Sequence, residues 1–413
     1  MTPTPRTALV LIAIALAALV VPGAVAAAAL AIVAGLTVAD ALAARRAPTA
    51  TRTVAAVLAR GAGVPLTVAL RDDGERRRGS VRVRQPLVPD LALDHQEGDG
   101  ALEATLTPRR RGRHLLPAVA VRARGPLGLG AWQHRAGDAL ELTVFPDLPS
   151  ARRLALAVRE GRFRDPGVRT RGPVGLGTEF ERVRDYLPDD DIRQVNWRAT
   201  ARIGRPMSNQ HRVEQDQEIV LVLDTGRLMA APLADGTRLD EALDAATALA
   251  LVADELGDRC GALAFDDAVR RRIRPGRGTG ADVIRAVYDL EPGDRDADYA
   301  LAFRIAGGGK RALVVVLTDL LDEAAARALV GAVPVLTRRH AVLVGSARDP
   351  DIEALASGAD PYAAAAATDL LAARSRAAAL VRGAGAQVLE ADPGALGAAC
   401  VHAYLRAKSR RRL

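Results

Sequence analysis

From Thr7 to Ala39 the chain carries no charged residue, and Pro22-Gly23 interrupts that run near its middle. As one straight helix the run would extend roughly 50 Å at about 1.5 Å per residue, well beyond a hydrocarbon core of about 30 Å. Proline followed by glycine is turn chemistry, so the pattern predicts a membrane hairpin with legs Ala8 to Val21 and Ala24 to Ala39. Each leg is short for a full crossing, which leaves one span or two open. Arg6 precedes the first leg and Arg45, Arg46 and Arg52 follow the second, which under the positive-inside rule puts both ends in the cytoplasm. The alternative is a cleaved secretory signal, with Ala24-Val25-Ala26 as its small-residue site. Against it, a second uncharged segment runs straight past that site.

Between about Thr51 and Leu148 the periodicity is that of strands. Leu66, Val68 and Leu70 alternate with smaller residues, Leu102, Ala104 and Leu106 with Glu103, Thr105 and Thr107, and Val119 and Val121 with alanine and arginine. Turn chemistry at Asp72-Asp73-Gly74, Glu97 to Gly100 and Gly125-Pro126 separates them, as in an all-β sandwich. After about Glu218 short apolar runs alternate with amphipathic stretches: strands at Ile219 to Leu223, Gly261 to Phe265, Ala312 to Leu317, Ala341 to Val344 and Gln387 to Leu389. Helices are predicted at Leu239 to Leu256, Asp282 to Leu290, Tyr299 to Ile305, Glu323 to Val330, Ala363 to Arg382 and Pro393 to Lys408. Wholly apolar strands between helices imply a parallel sheet buried on both faces. The predicted divisions are 1–46 (transmembrane hairpin), 47–150 (β-sandwich), 151–217 (a connecting segment) and 218–413 (an α/β domain).

Composition narrows the function classes. Hydrophobic residues make up 49% and charged residues 26% of 413, the balance of folded protein, and aromatics are few at 3%. The net charge of +8 is spread among nearly as many acids, with no aromatic-basic stripe, which argues against nucleic acid and for an anionic membrane surface. The arginine runs at Arg76 to Arg78 and at Arg109, Arg110, Arg111 and Arg113 read as solvated turns or as contacts to lipid headgroups. Cys260 and Cys400 alone cannot make a disulfide framework or a cysteine zinc site, which fits a reducing compartment.

The most site-like positions are Asp224, after Val-Leu-Val-Leu, and Asp319, after Val-Val-Val-Leu-Thr, because ligands of such sheets sit beyond the carboxyl ends of the strands. The pattern resembles the von Willebrand factor type A fold, a Rossmann-like α/β domain. That resemblance implies a metal-ion-dependent adhesion site of the form Asp-x-Ser-x-Ser, a distant threonine and a later aspartate. Here Gly226 and Leu228 stand at the serine positions, and neither side chain offers oxygen to magnesium, which needs several. A degenerate Mg²⁺ site would fall to Asp224, Asp298 and Asp319; otherwise these aspartates are helix caps and strand ends. The six histidines are dispersed, and neither Gly307 to Lys310 nor Pro275 to Gly280 has the spacing of a nucleotide cradle.

The segment Gly177-Thr178-Glu179-Phe180-Glu181-Arg182-Val183-Arg184-Asp185-Tyr186, followed by Pro188-Asp189-Asp190-Asp191-Ile192-Arg193-Gln194-Val195-Asn196-Trp197-Arg198-Ala199-Thr200-Ala201-Arg202, resembles the bacterial family called domain of unknown function 58. The likeness extends through Asp298 to Phe303, Val316 to Asp322 and Tyr404 to Lys408. It implies a membrane-anchored protein with a type-A-like domain, working with a MoxR-type AAA+ ATPase in assembly or maturation of other complexes. Read as residues, Asp189, Asp190 and Asp191 are helix-start carboxylates. With Arg184, Arg193, Trp197 and Arg198 they make a charged surface built around one large aromatic, the composition of a protein-interaction site. Three adjacent acids point in different directions and make a poor nuclease site.

The expectation is therefore a multidomain, non-enzymatic adaptor on the inner membrane, its soluble parts facing the cytoplasm, with an N-terminal transmembrane helical hairpin, a β-sandwich and a C-terminal type-A-like domain. No cofactor is expected beyond the degenerate metal site. The alternatives are a metal-dependent hydrolase built on Asp224, Asp319 and the acids 189–191, or an extracellular adhesion protein.

Overall fold

The structure is a computed structural model, and it describes residues 1–71, 80–161, 179–186, 195–212, 217–321 and 323–409. The predicted turn at 72–74 and the arginines 76–78 lie outside the described residues. Two compact units make up the chain, Met1–Val144 and Phe145–Leu413.

The first unit opens with helix α1 (Pro5–Ala17), a turn, and helix α2 (Gly23–Ala43). The break falls where proline and glycine put it: Pro22 precedes α2 and brings no N–H of its own. At about 1.5 Å per residue α1 is roughly 20 Å long and α2 roughly 31 Å. Among the described residues α2 is the one helix long and apolar enough to cross a membrane. Its last turns are not free, because Thr37, Asp40 and Ala41 are buried. The Asp40 carboxylate accepts from the backbone N–H groups of Leu127 (2.8 Å), Leu129 (2.7 Å) and Gly130 (2.8 Å). Gly130 is required there, since a Cβ would lie 2.5 Å from the Thr37 carbonyl oxygen. Thr4 and Thr7 donate to the carbonyls of Gly128 and Leu129, and Thr2–Pro3 pairs with Gly130–Ala131. Both legs of the hairpin are thus fastened to one loop of the β region.

Among its described residues that region holds three sheets. Five strands run in the order Thr2–Pro3, Gly130–Ala136, Val119–Arg124, Val81–Arg84, Glu97–Asp99; four in the order Thr49–Thr53, Val64–Arg71, Ala101–Pro108, Leu91–Leu93; three in the order Val57–Ala59, Leu140–Phe145, Gly112–Leu116. All three contribute to one core, with Leu66, Leu102, Leu106, Leu116, Val121 and Leu142 at its centre. The predicted alternation holds in Ala101–Pro108, where Leu102, Ala104 and Leu106 turn inward and Glu103 and Thr105 outward. One arginine of the run differs from the solvated reading: Arg111 is buried, whereas Arg109, Arg110 and Arg113 are exposed. It stands just before Gly112, whose φ of 109° is open only to glycine and redirects the chain into the next strand.

The second unit is an α/β layer structure. Its strands, numbered along this sheet, are β1 (Glu218–Asp224), β2 (Arg259–Phe265), β3 (Val269–Arg277), β4 (Leu313–Leu317), β5 (Ala341–Ala347) and β6 (Gln387–Ala391). They lie in the order β3-β2-β1-β4-β5-β6, all parallel except the edge strand β3. The helices are α3 (Leu148–Arg159), α4 (Trp197–Ile203), α5 (Arg238–Glu255), α6 (Gly280–Val287), α7 (Tyr299–Ala306), α8 (Glu323–Thr337), α9 (Pro350–Ala356), α10 (Pro361–Gly383) and α11 (Leu396–Ser409). Period-two geometry divides β1 between two cores. Ile219, Leu221 and Leu223 share one core with α3, α5, α6 and α11, while Val220 and Val222 share the other with α7, α8 and α10. A strand covered on both faces has no polar side, hence its unbroken apolar sequence. The sequence pattern did not predict α3, which packs on α5 through Ala151 and Ala155, nor the antiparallel ribbon of Glu179–Asp185 with Met207–Arg212. On edge strand β3 the run Arg270 to Arg272 faces solvent, which discourages further strand pairing.

The Tyr404 to Lys408 motif has a structural explanation at the amino edge of this sheet. Asp258 is fully buried, and its carboxylate receives the Tyr404 hydroxyl, the Lys408 ammonium and, at 3.1 Å, the Gln217 N–H. Lys408 is itself buried, so α11 is locked to the starts of β1 and β2 by an internal ion pair. Burial, then the Asp258 charge, pushes the Tyr404 hydroxyl far above its ordinary pKa. Removing one member of such a pair leaves the other charge buried and unanswered. Asp258→Ala is expected to cost the Phe145–Leu413 unit about 3–5 kcal/mol in denaturant unfolding. Adding Lys408→Met to that variant is expected to restore most of the loss.

Candidate functional site

The carboxyl ends of β1 and β4 flank the position where strand order reverses, and the sequence puts Asp224 on one and Thr318-Asp319 on the other. Asp224 is 3% exposed. Its Oδ2 accepts from the Thr318 hydroxyl (2.6 Å) and the Tyr299 hydroxyl (2.7 Å), which lie 2.8 Å apart, and its Oδ1 accepts from the Gly226 N–H at 2.7 Å. All three donors are uncharged. Burial raises the Asp224 pKa, the three hydrogen bonds oppose that rise, and the charge of nearby Asp319 adds to it. Burial, then the negative charge of Asp224, drives the Tyr299 hydroxyl well up.

Asp319 is answered differently. Arg238, the first residue of α5, is 5% exposed and extends one nitrogen to Asp319 Oδ1 (2.9 Å) and the other to Asp349 Oδ2 (2.8 Å). A capping box holds the start of α5: the Asp240 carboxylate takes the Thr237 N–H (2.8 Å) while the Thr237 hydroxyl oxygen receives the Asp240 N–H (3.2 Å). Asp349 caps α9 through the N–H groups of Asp351 and Ile352. The guanidinium therefore ties β4, α5 and the loop after β5 into one cluster.

The other strand ends repeat the device. At the end of β2, Asp266 is fully buried; against the cost of burial, the Ala268 N–H and Arg270, 2.6 Å away, hold its carboxyl below the usual range. On β6, Glu390 takes Arg374 at 2.6 Å, and that buried guanidinium also reaches Ser346 and the Ala347 carbonyl at the end of β5.

Of the sequence-predicted ligands, Asp224 and Asp319 come to the same edge and Asp298 takes another role. Asp298 is exposed and caps α7, its carboxylate accepting from the Leu301 N–H at 2.9 Å. Its neighbour Tyr299 is the residue that reaches Asp224. The donor set does not fit a hard cation. Asp319 already carries a guanidinium, both oxygens of Asp224 are engaged, and the Thr225 hydroxyl donates to the Phe265 carbonyl at 2.9 Å. A side chain at position 226 would meet the Ala297 nitrogen, the Arg295 carbonyl oxygen and Asp224 Oδ1, each 3.1 Å from its Cβ, so the serine of the adhesion pattern would need that loop to give by a few tenths of an ångström. Among the described residues no three His, Cys, Asp or Glu side chains are grouped to hold a metal ion.

Of the predicted interaction residues, Arg184 lies on the ribbon strand Glu179–Asp185, and Trp197 and Arg198 open α4. Asn196 caps that helix by accepting the Ala199 N–H at 2.9 Å, and Gly204 ends it at φ 75°. Trp197 is 69% exposed, and Arg198 is exposed beside it. Asp189, Asp190, Asp191 and Arg193 lie outside the described residues. Sequence reasoning missed Arg238, Tyr299, Thr318 and Asp349. Thr318 and Tyr299 stand inside the quoted motifs, whereas Arg238 and Asp349 carry no local mark.

Residues 182–384 match the family described as protein of unknown function DUF58. Two relatives, from Mycobacterium bovis and Mycobacterium tuberculosis and each described as an uncharacterized protein, are 31% identical over 188 residues. Those matches cover 43% of this chain and 57% of each relative, so the chain spans little more than half the length of the curated relatives it matches. A cohesin module from a Clostridium perfringens family 33 glycoside hydrolase is similar at 12% identity over 24% of this chain and 96% of that module, with a TM-score of 0.16.

Because burial raises Asp224 in the folded state, the folded protein holds that proton more tightly than the unfolded chain does. The contribution to stability is thus fully present below the ordinary aspartate value of about 3.9 and is lost as pH rises through the raised folded value. The difference in unfolding free energy between wild type and Asp224→Asn, followed against pH, is expected to move in favour of the asparagine variant across that window and to be flat above it.

Proposed function

From the membership of residues 182–384 in the DUF58 family, we propose that this protein is a non-enzymatic, membrane-anchored adaptor whose α/β unit docks a MoxR-type AAA+ ATPase or its client during assembly of other complexes. The α/β unit is read as a von Willebrand factor type A-like domain. Strand order 3-2-1-4-5-6, with Asp224 and Thr318 at the reversal point, supports that reading.

The observation that carries the adaptor reading is the ion pair of Arg238 with Asp319 and Asp349. An acid that serves as general base, nucleophile or metal ligand needs a free lone pair facing a substrate, and Asp319 directs its own into a buried guanidinium. What the unit offers a partner instead is shape and surface, and Trp197 beside Arg198 has the composition of an interface anchor. The apolar hairpin tethers that surface to the inner membrane with the soluble units in the cytoplasm. Tethering raises effective concentration without new contacts.

Two measurements test the reading on the full chain in detergent. Titration with magnesium, manganese and calcium in a calorimeter is expected to give no heat that Asp224→Ala or Asp319→Ala abolishes; such heat, or turnover of a phosphoester or peptide substrate, overturns the reading in favour of a hydrolase. Trp197→Ala is expected to weaken binding of a purified MoxR-type ATPase by about 30-fold, a loss of about 2 kcal/mol, while leaving the unfolding midpoint unchanged.

A further inference from the structure

The hairpin and its fastening fix how deep the anchor reaches. Thr4 and Thr7 on the first leg and Asp40 on the second are buried and hydrogen-bonded to the loop ending at Gly130, and buried Thr37 lies close against Gly130. Arg6 lies over the same loop at Gly128. A charged arginine, a buried carboxylate and the irregular backbone of a loop belong outside hydrocarbon, so this level marks the membrane boundary. Beyond it each leg is free for the same length, Ala8 to Val21 and Gly23 to Leu36. The second leg is helical throughout, so its fourteen residues at about 1.5 Å each reach about 21 Å, and the first, helical to Ala17, reaches no farther; that depth passes the midplane of a hydrocarbon core of about 30 Å and stops short of the far headgroups.

The tip is built to stay in hydrocarbon. It reads Leu19-Val20-Val21-Pro22-Gly23, with Leu19 82% and Val20 90% exposed, and contains no polar side chain to meet a second interface. Its backbone answers much of its own demand. Leu19 N–H bonds to the Leu16 carbonyl, those of Val20 and Val21 to Ala17, that of Val25 to Pro22, and Pro22 has no N–H to satisfy. The outward face of the legs continues the same surface through Leu9, Ile12, Leu16, Val25 and Ile32.

We propose that residues 8–36 form a re-entrant wedge: the hairpin enters the bilayer from the side of the β region, turns within the acyl chains and returns, without emerging on the opposite face. The inference rests on the anchoring read above and adds its depth and sidedness. Such a wedge holds the β region flush against one leaflet.

The test uses the full chain in sealed vesicles, with a membrane-impermeant maleimide offered from one face or the other. Cys260 and Cys400 are buried, and burial pushes both thiols up, Cys400 to about 12, so the natural cysteines stay silent. Val20→Cys at the tip and Leu115→Cys, exposed on a β-region strand, serve as reporters. Leu115→Cys is expected to label from one face only, and Val20→Cys from neither until detergent is added. Labelling of Val20→Cys from the face opposite Leu115→Cys overturns the wedge and leaves the anchor standing as a complete two-span hairpin. Labelling of Val20→Cys from the same face, with the protein washed from the vesicles by carbonate, overturns the wedge and the anchor together. Leu19→Cys repeats the measurement one residue earlier and is expected to behave as Val20→Cys does.

Discussion

A carboxylate carried at the end of a buried strand has to be met by something inside the protein, and in the α/β unit that requirement organises the edge of the sheet. Wholly apolar strands are covered on both faces by helices, so an acid following directly on such a strand lies within a few ångströms of the core. Asp266 is met by Arg270, Asp319 by Arg238 and Glu390 by Arg374. Each arginine comes from another element, and so each pair also fixes a distance. Arg238 does this most fully, because one guanidinium spans two acids that stand 30 positions apart in the chain. Arginine suits that geometry as lysine would not, since its planar fork presents two donors in fixed directions.

Asp224 is held by a different balance. Two hydroxyls and one amide supply hydrogen bonds, and burial wins over them in setting the direction of its pKa. A site with the carboxylate in this position and a full shell of oxygen ligands would offset burial with a divalent charge. Here Gly226, packed tightly against the loop through Arg295 and Ala297, brings no side-chain oxygen to such a shell. The tyrosine that fills the gap comes from α7, whose start is fixed by Asp298 and by the Asp298 N–H donating to the Asp266 carbonyl. Cap, tyrosine and acid therefore depend on one another in sequence.

Much of this architecture was legible in periodicity. The apolar strands of the α/β unit and the alternation of Ala101–Pro108 announce themselves because burial on two faces, or on one, leaves different residue patterns. Pro22-Gly23 marked the hairpin turn for a local reason, and local reasons survive in sequence. The helix α3 is hard to see in sequence because its fully buried positions are Ala151 and Ala155, small residues in an alanine-rich chain, while Leu148, Leu154 and Val158 are only partly buried against the same core. Asp224 and Asp319 were found by their place after apolar strands, but their partners were not. Arg238 looks like any exposed arginine at a helix start until the fold brings Asp319 and Asp349 beside it. The residue one place along from the predicted Asp298 reaches the site, since a cap faces the helix end while the next side chain turns inward. Lys408 was part of a quoted motif whose purpose appears only when Asp258, 150 positions earlier, is placed under it.

The same physics accounts for the fastening of the hairpin. In a bilayer, as proposed, an apolar hairpin has nothing specific to hold it at a chosen height, because hydrocarbon contacts are equally good at many depths. Position must come from polar groups at the base, and those groups tolerate burial only when satisfied. Asp40 meets both demands, since three amides of the loop ending at Gly130 converge on its carboxylate while the helix that carries it continues into the apolar leg. Sliding the helix by even one residue would unmake all three bonds at once and push a carboxylate towards lipid, where its desolvation would go unanswered. A carboxylate caged by backbone amides is therefore a better depth marker than a surface arginine, whose long stem can stretch to water from several heights.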